Sequence, residues 1–226
     1  MNSDSAAEGS AGLQALYPDV DMADGLAEAL KRMAVDLGFS LEGLVDGFGR
    51  AELATGRGTA SIRLGAEERL FLVGIYESGI EWATGATADV GQALRAVAAW
   101  QEGEPLDGYV SRFPFMRPGE LAYAFAEGNV AQAQWEILLG SDHPSESRQL
   151  LLRLAGFGEL RSLFPEISYG SIRFTAPPPR RDDRVFFVRG DEELYRVQEF
   201  GAERREYALG DIGEVVRRLV EFLATG

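Results

Sequence analysis

Residues 89–100 read "DVGQALRAVAAW" and residues 211–222 read "DIGEVVRRLVEF". Each opens on an Asp suited to an N-cap, with Gln92 or Glu214 three residues later, the capping-box spacing. Behind the cap, Val90, Leu94, Val97 and Trp100 form one apolar stripe, and Ile212, Val216, Leu219 and Phe222 form another. Three of the twelve positions are identical, and six more exchange one apolar residue for another. Two accounts fit. Any capped amphipathic helix laid on an antiparallel sheet has this pattern, or the two copies belong to a diverged duplication. In both accounts the helix is scaffold and carries no cofactor.

The residues before each copy decide what the helix lies on. "RAELATGRGTASIRL" has period two, with Ala51 and Leu53 on one strand, Ile62 and Leu64 on the next, and a turn at Gly56-Arg57-Gly58. "RLFLVGIYESGIEWATG" repeats the pattern: Phe71, Val73 and Ile75 alternate, Glu77-Ser78-Gly79 turns, and Ile80, Trp82 and Thr84 return. "MADGLAEALKRMAVDLGF" precedes them as a helix with Leu26, Leu30, Met33 and Leu37 on one stripe and Gly38 to stop it. Residues 17–104 thus read as an α-β-β-β-β-α unit, after a loose arm at 1–16. Residues 105–165 carry no strand pattern and read as a helical linker. Strands resume at "YGSIRFT", "RVFFVRG", "ELYRVQEF" and "RREYAL", and 166–226 read as β-β-β-β-α. The expected fold is α+β: two antiparallel meander-plus-helix units joined by a helical middle.

Composition bounds the function. A net charge of −14 over 226 residues argues against a broad nucleic-acid or anionic-membrane surface. The chain has no cysteine, which excludes disulfides, thiolate nucleophiles and Cys-based metal sites. "MNSDSAAEGSAGLQA" lacks the basic and apolar regions of a signal peptide, and no apolar run is long enough to span a bilayer. The expected location is the cytoplasm.

Catalytic chemistry finds little support. His143 is the sole histidine, in "GSDHPSES", with Asp142, Ser145 and Ser147 nearby in sequence. Neighbouring loop residues point apart and seldom assemble a triad, so the segment reads as a surface turn. The G-x-G of "GFGRAELATGRG" leads into hairpins and not into a strand–loop–helix, so it aims no amides at a phosphate. Glu67-Glu68 and Asp182-Asp183 fall in turns. No metal or nucleotide cofactor is expected.

Two segments resemble binding surfaces. "SRFPFMRPGE" sets Arg112, Phe115 and Arg117 between prolines, and "LFPEISYGSIRF" places Phe164, Tyr169 and Arg173 at the start of the second sheet. Aromatic and arginine anchors beside rigid turns suit contact with a protein, a peptide or a small anionic ligand. The alternative is that they glue the units together.

Three stretches also carry a resemblance: "EERLFLVGIYESGIEWATGATADVGQALRAVAAWQEG", "RFPFMRPGELAYA" and "LRSLFPEISYGSIRFT". From about Tyr17 to the C-terminus the chain resembles the actinobacterial natural product biosynthesis protein family (domain of unknown function 6193). Members tend to have His at the place of Tyr169 and a Ser-Arg pair at Thr175-Ala176. The resemblance implies an association with biosynthetic genes and brings no catalytic residue with it. The leading expectation is a non-enzymatic binding or accessory protein. Its rivals are an enzyme using carboxylates and arginines, and an immunity-type protein whose acidic surface blocks a basic toxin.

Overall fold

The computed structural model describes residues 13–47, 49–142, 145–179, 184–190 and 194–224. It is an α+β protein with two antiparallel sheets, one of six strands and one of five. The chain divides into two compact units, one comprising residues up to Glu77 and Glu81–Tyr123, the other Ser78–Ile80 and everything from Ala124 onward.

The first unit contains α1 (Leu26–Asp36), β1 (Leu44–Gly47), β2 (Arg50–Ala54), β3 (Gly58–Leu64), β4 (Phe71–Glu77) and β5 (Ile80–Thr87). It continues with α2 (Val90–Gln101), α3 (Leu106–Arg112) and β6 (Met116–Pro118). The strands lie side by side in chain order. Ala51 faces Ile62, and Ile62 faces Val73, so the alternating apolar residues form continuous rows on one face. Helix α1 covers β1 and β2 while α2 lies over β4. The β4–β5 turn sets Ser78 and Gly79 at φ of 47° and 79°, the left-handed pair whose twist suits a two-residue hairpin.

Four expectations change here. Strand β1 was not foreseen because "LVDG" buries only Leu44 and shows no alternation. It serves α1 instead: Gly25 at the N-cap has no side chain, and Asp46 from β1 accepts from the Ala27 N–H at 2.9 Å. A Cβ on Gly25 would stand 2.2 Å from an Asp46 oxygen, so glycine is needed for that approach. Strand β6 is too short to show a period and ends in Pro118, which suits an edge. Residues 13–16 form a helical turn whose Leu13 and Leu16 pack on the first core, so the arm is docked from Leu13 onward. The Tyr17 hydroxyl secures it, reaching the carbonyls of Gly65 and Leu70 at 3.0 and 2.9 Å. Leu37, given to the α1 stripe, is 39% exposed, because the helix ends before it.

Helix α4 (Ala122–Glu127) spans the division between the units. The second unit holds α5 (Val130–Gly140), α6 (Ser145–Ala155) and a 3-10 turn at Gly158–Ser162. Then come β7 (Phe164–Ser168), β8 (Ser171–Thr175), β9 (Val185–Gly190), β10 (Tyr195–Phe200), β11 (Arg204–Leu209) and α7 (Ile212–Ala224). This sheet is also a sequential meander. It has five strands where the sequence showed four. "FPEIS" hides as a strand because Pro165 breaks its pattern, and "YGSIRFT" supplies the turn and second arm of that hairpin. Helix α5 covers β7, α6 covers β8 and β9, and α7 covers β9 to β11. The Trp135 indole N–H anchors α5 by donating to the Leu160 and Leu163 carbonyls, both at 3.1 Å.

The stretch 105–165 is shared out: α3 and β6 belong to the first unit, α5 and α6 to the second. Both foreseen caps form. Asp89 accepts from the Gln92 N–H at 3.1 Å and Asp211 from the Glu214 N–H at 2.9 Å. The return arm of the box does not form at Asp89, whose own N–H donates to the Thr87 hydroxyl.

Candidate binding face

Two buried carboxylates mark the interior of the units, and they correspond. Glu77 is 6% exposed and Glu199 4%. Each is twelve residues before its cap, 89 − 77 = 12 and 211 − 199 = 12, on the fourth strand of a meander. The buried neighbours match as well: Val73 and Ile75 in β4, Tyr195 and Val197 in β10. A buried carboxylate needs a cation and hydrogen bonds to stay charged. Glu77 pairs with the Arg57 guanidinium from the β2–β3 turn and accepts the Trp100 indole N–H at 2.7 Å. Arg57 also donates to the Trp100 carbonyl at 2.8 Å and stacks over Trp82 and Trp100. Glu199 accepts from Arg218 of α7 at 2.7 Å, and that guanidinium lies 3.3 Å from the Tyr207 ring centroid. Each carboxylate is thus compensated by an arginine of its own unit. Near the first, the Tyr109 hydroxyl is buried without a hydrogen-bond partner among the described residues. Burial, reinforced by Glu104, pushes that phenol far above its usual range, with Arg57 opposing.

The second sheet has a different outer face. Ile172, Phe174, Phe186, Val188, Tyr195 and Val197 point to the helices and build the core. Their neighbours in the alternation therefore point away from it. One outward row, set by the pairing, runs Glu166, Arg173, Phe187, Gln198, Glu206. Beside it Arg189 of β9 stands directly opposite Arg196 of β10. Both arginines are exposed, and among the described residues neither has a carboxylate partner. Like charges directly opposite on adjacent strands destabilise a sheet, by roughly 0.2–1 kcal/mol. Phe187 and Phe200, both half-buried, meet edge to face at 5.4 Å, and Arg204 stacks on Phe200 at 5.0 Å. In a chain of net charge −14, this is a concentrated positive and aromatic surface.

The residues singled out in the sequence are divided between the units. Arg112 closes α3, pairs with Glu104 at 3.0 Å and stacks on Phe113. Phe115 is half-buried against the first core, edge-on to Phe113 at 6.2 Å. Arg117 is exposed on β6, opposite Thr84. In the second unit, Tyr169 occupies the tip of the β7–β8 hairpin at φ 47° and is fully exposed, at 100%. Arg173 lies on the outer face and pairs with Glu166. Arg173 therefore joins the open face directly, and Phe115 serves its own unit's core. Phe164 is buried. His143, Pro144 and Asp182-Asp183 lie outside the described residues; Asp142 is exposed and Ser147 is buried in α6. Among the described residues, no cluster of three or more His, Asp or Glu side chains could hold a metal ion. No described helix is long and apolar enough to cross a membrane.

Phe187, Arg189, Arg196, Phe200 and Arg204 went unnoticed in the sequence. Their signal was the polar half of the alternation in "RVFFVRG" and "ELYRVQEF", but its meaning depends on register. Only the pairing shows that Arg189 faces Arg196. No family model, curated protein or solved structure matches the chain.

Proposed function

We propose that this protein acts by binding, and that its ligand docks on the outer face of the second sheet. One observation carries the reading: Arg189 and Arg196 are exposed, directly opposed and without a carboxylate partner among the described residues. The other cations of note have local tasks, Arg57 and Arg218 at buried carboxylates and Arg112 and Arg173 in ion pairs. Two guanidinium groups without a carboxylate partner among the described residues, beside aromatic rings, suit a ligand that brings negative charge and a flat apolar surface. The resemblance to a biosynthesis-associated family supports an accessory role beside such a pathway, in the cytoplasm. Backbone NMR titration with a panel of small anions and acidic peptides tests the site. Shifts should concentrate on β8–β10. Shifts confined to the first unit, around Arg57 and Tyr109, would sink the proposal.

A further inference from the structure

We infer that the Arg189–Arg196 pair is a phosphomonoester site, and that its ligand is a small phosphorylated molecule with a planar apolar body. This rests on the binding reading above and narrows it to one ligand class. Directly opposed residues on adjacent antiparallel strands have Cβ atoms about 5 Å apart, so both guanidinium groups can converge on one anion above the sheet. A carboxylate has two oxygens, and a single arginine in fork geometry occupies both. A carboxylate also carries only one negative charge, so the second guanidinium would stay uncompensated in charge. A phosphomonoester near neutral pH carries close to two negative charges and offers three terminal oxygens, which accommodates a guanidinium from each side. Ser171 lies next to Arg189 on the same face, since Ile172 pairs with Val188, and its hydroxyl adds a donor.

The body of the ligand follows from the next row. Two residues along the strands, about 7 Å away, lie Phe187 and Gln198. Half-buried Phe187, supported edge-on by Phe200, presents an apolar floor on which a planar ring stacks offset. The ends of that row decide against a polymer. Glu166 and Glu206 stand at the two ends of the Phe187–Gln198 row, next to the row of the arginine pair, so an extended polyphosphate strand that also covered the aromatic floor would meet a carboxylate at either edge. The chain's net charge of −14 repels it further. A single phosphate over Arg189 and Arg196 lies one row away from both carboxylates.

Calorimetric titration of the full chain with phenyl phosphate, inorganic phosphate, benzoate and oligothymidylate tests the inference. Phenyl phosphate should bind one to one, and inorganic phosphate and benzoate each at least about tenfold more weakly. Arg189→Gln and Arg196→Gln should each weaken phenyl phosphate by about tenfold or more. Both variants should melt at or above the parent temperature, because a like-charge contact is removed. Phe187→Ala should reduce phenyl phosphate to the level of inorganic phosphate, while Arg63→Gln, exposed on β3 of the first unit, should change little. Benzoate binding as well as phenyl phosphate would keep the face and overturn the phosphate assignment. Oligothymidylate binding far more tightly than phenyl phosphate would replace the small ligand with a polyanion. No anion binding at millimolar concentration, or equal binding by the Arg189 and Arg196 variants, would overturn both the inference and the face.

Discussion

The two units keep a carboxylate in the same place and hold it by different means. Glu77 and Glu199 are related by the offset that relates the caps, 199 − 77 = 122 and 211 − 89 = 122, with no insertion across the last strands and the helix. In the first unit the cation comes from a hairpin turn, and the helix contributes an indole N–H. In the second, the helix supplies the arginine itself, backed by a tyrosine ring. The meander fixes where the carboxylate sits; the requirement for charge compensation does not fix which element answers it. Both units also share a plan of helix, five-strand meander and capped helix. Shared register together with divergent partners is what a duplication predicts, and the first pair of variants probes it.

The largest effects should come from removing the cations. Arg57→Ala and Arg218→Ala each strand a buried carboxylate, which costs about 3 kcal/mol, the low end for such losses because both guanidinium groups are partly open to water. Arg57→Ala should cost more, since it also loses the Trp100 carbonyl and two indole faces. Urea unfolding of both variants measures this. A silent Arg218→Ala would show that the correspondence is geometric and not energetic. Replacing Glu199 and Arg218 together by leucine should destabilise less than Arg218→Ala alone, because no uncompensated charge remains.

The caps offer a milder comparison. Asp89→Ala and Asp211→Ala should each lower stability by about 1 kcal/mol, and by similar amounts, since both accept one N–H at like distance. A loss at only one site would mean the other helix is held entirely by its packing.

How far the sequence foretold this depended on what each feature needs. The helices and most strands were legible because burial on one face imposes a period, and the caps because they are local. Strands β1 and β6 were not, as four and three residues cannot show a period of two. Glu77 reads as part of a turn and Glu199 falls unremarked in the strand run "ELYRVQEF"; the groups that compensate them lie many positions away, such as Arg57. The open face was illegible for a similar reason. Arg173 was noticed beside aromatics, but Arg189 and Arg196 acquire meaning only when register places them opposite each other.

Tyr109 sets the units apart at high pH. Its hydroxyl lacks a hydrogen-bond partner among the described residues, whereas a buried tyrosine of the second unit, Tyr195 on β10, receives Arg153 at 3.2 Å. Burial first, then Glu104, raises the Tyr109 pKa above its ordinary 10.0. A raised folded-state value means the contribution is complete below the unfolded pKa and is lost as pH rises through the folded one. Stability should therefore fall above pH 10.0, with Tyr109 ionising only as the first unit opens. Absorbance at alkaline pH against circular dichroism checks this. Tyr109→Phe should flatten the decline and change neutral-pH stability by no more than about 0.5 kcal/mol.

Acid should act on a different contact of the first unit, and weakly. Arg69 grips Asp19 through two bonds of 2.7 and 2.9 Å, and also reaches the Leu16 and Ala88 carbonyls at 3.2 Å. Its guanidinium covers the Tyr17 and Phe71 rings, so one side chain joins the docked segment before α1 to the start of β4. The hydrogen bond from Arg69 holds the Asp19 carboxyl below its usual 3.8, with partial burial opposing. A depressed carboxylate contributes above its unfolded pKa and loses that contribution as pH falls through the folded value. The loss thus lies below pH 3.8 and is small, under about 1 kcal/mol, because the carboxylate is half open to solvent. NMR titration of the Asp19 carboxyl should give a midpoint below 3.8, returning towards that value in Arg69→Gln. Over the same range, signals of Leu16 and Tyr17 should shift while those of β9 and β10 stay fixed. Simultaneous movement in both units would mean that acid unfolds the molecule as a whole and that this contact is not a local latch.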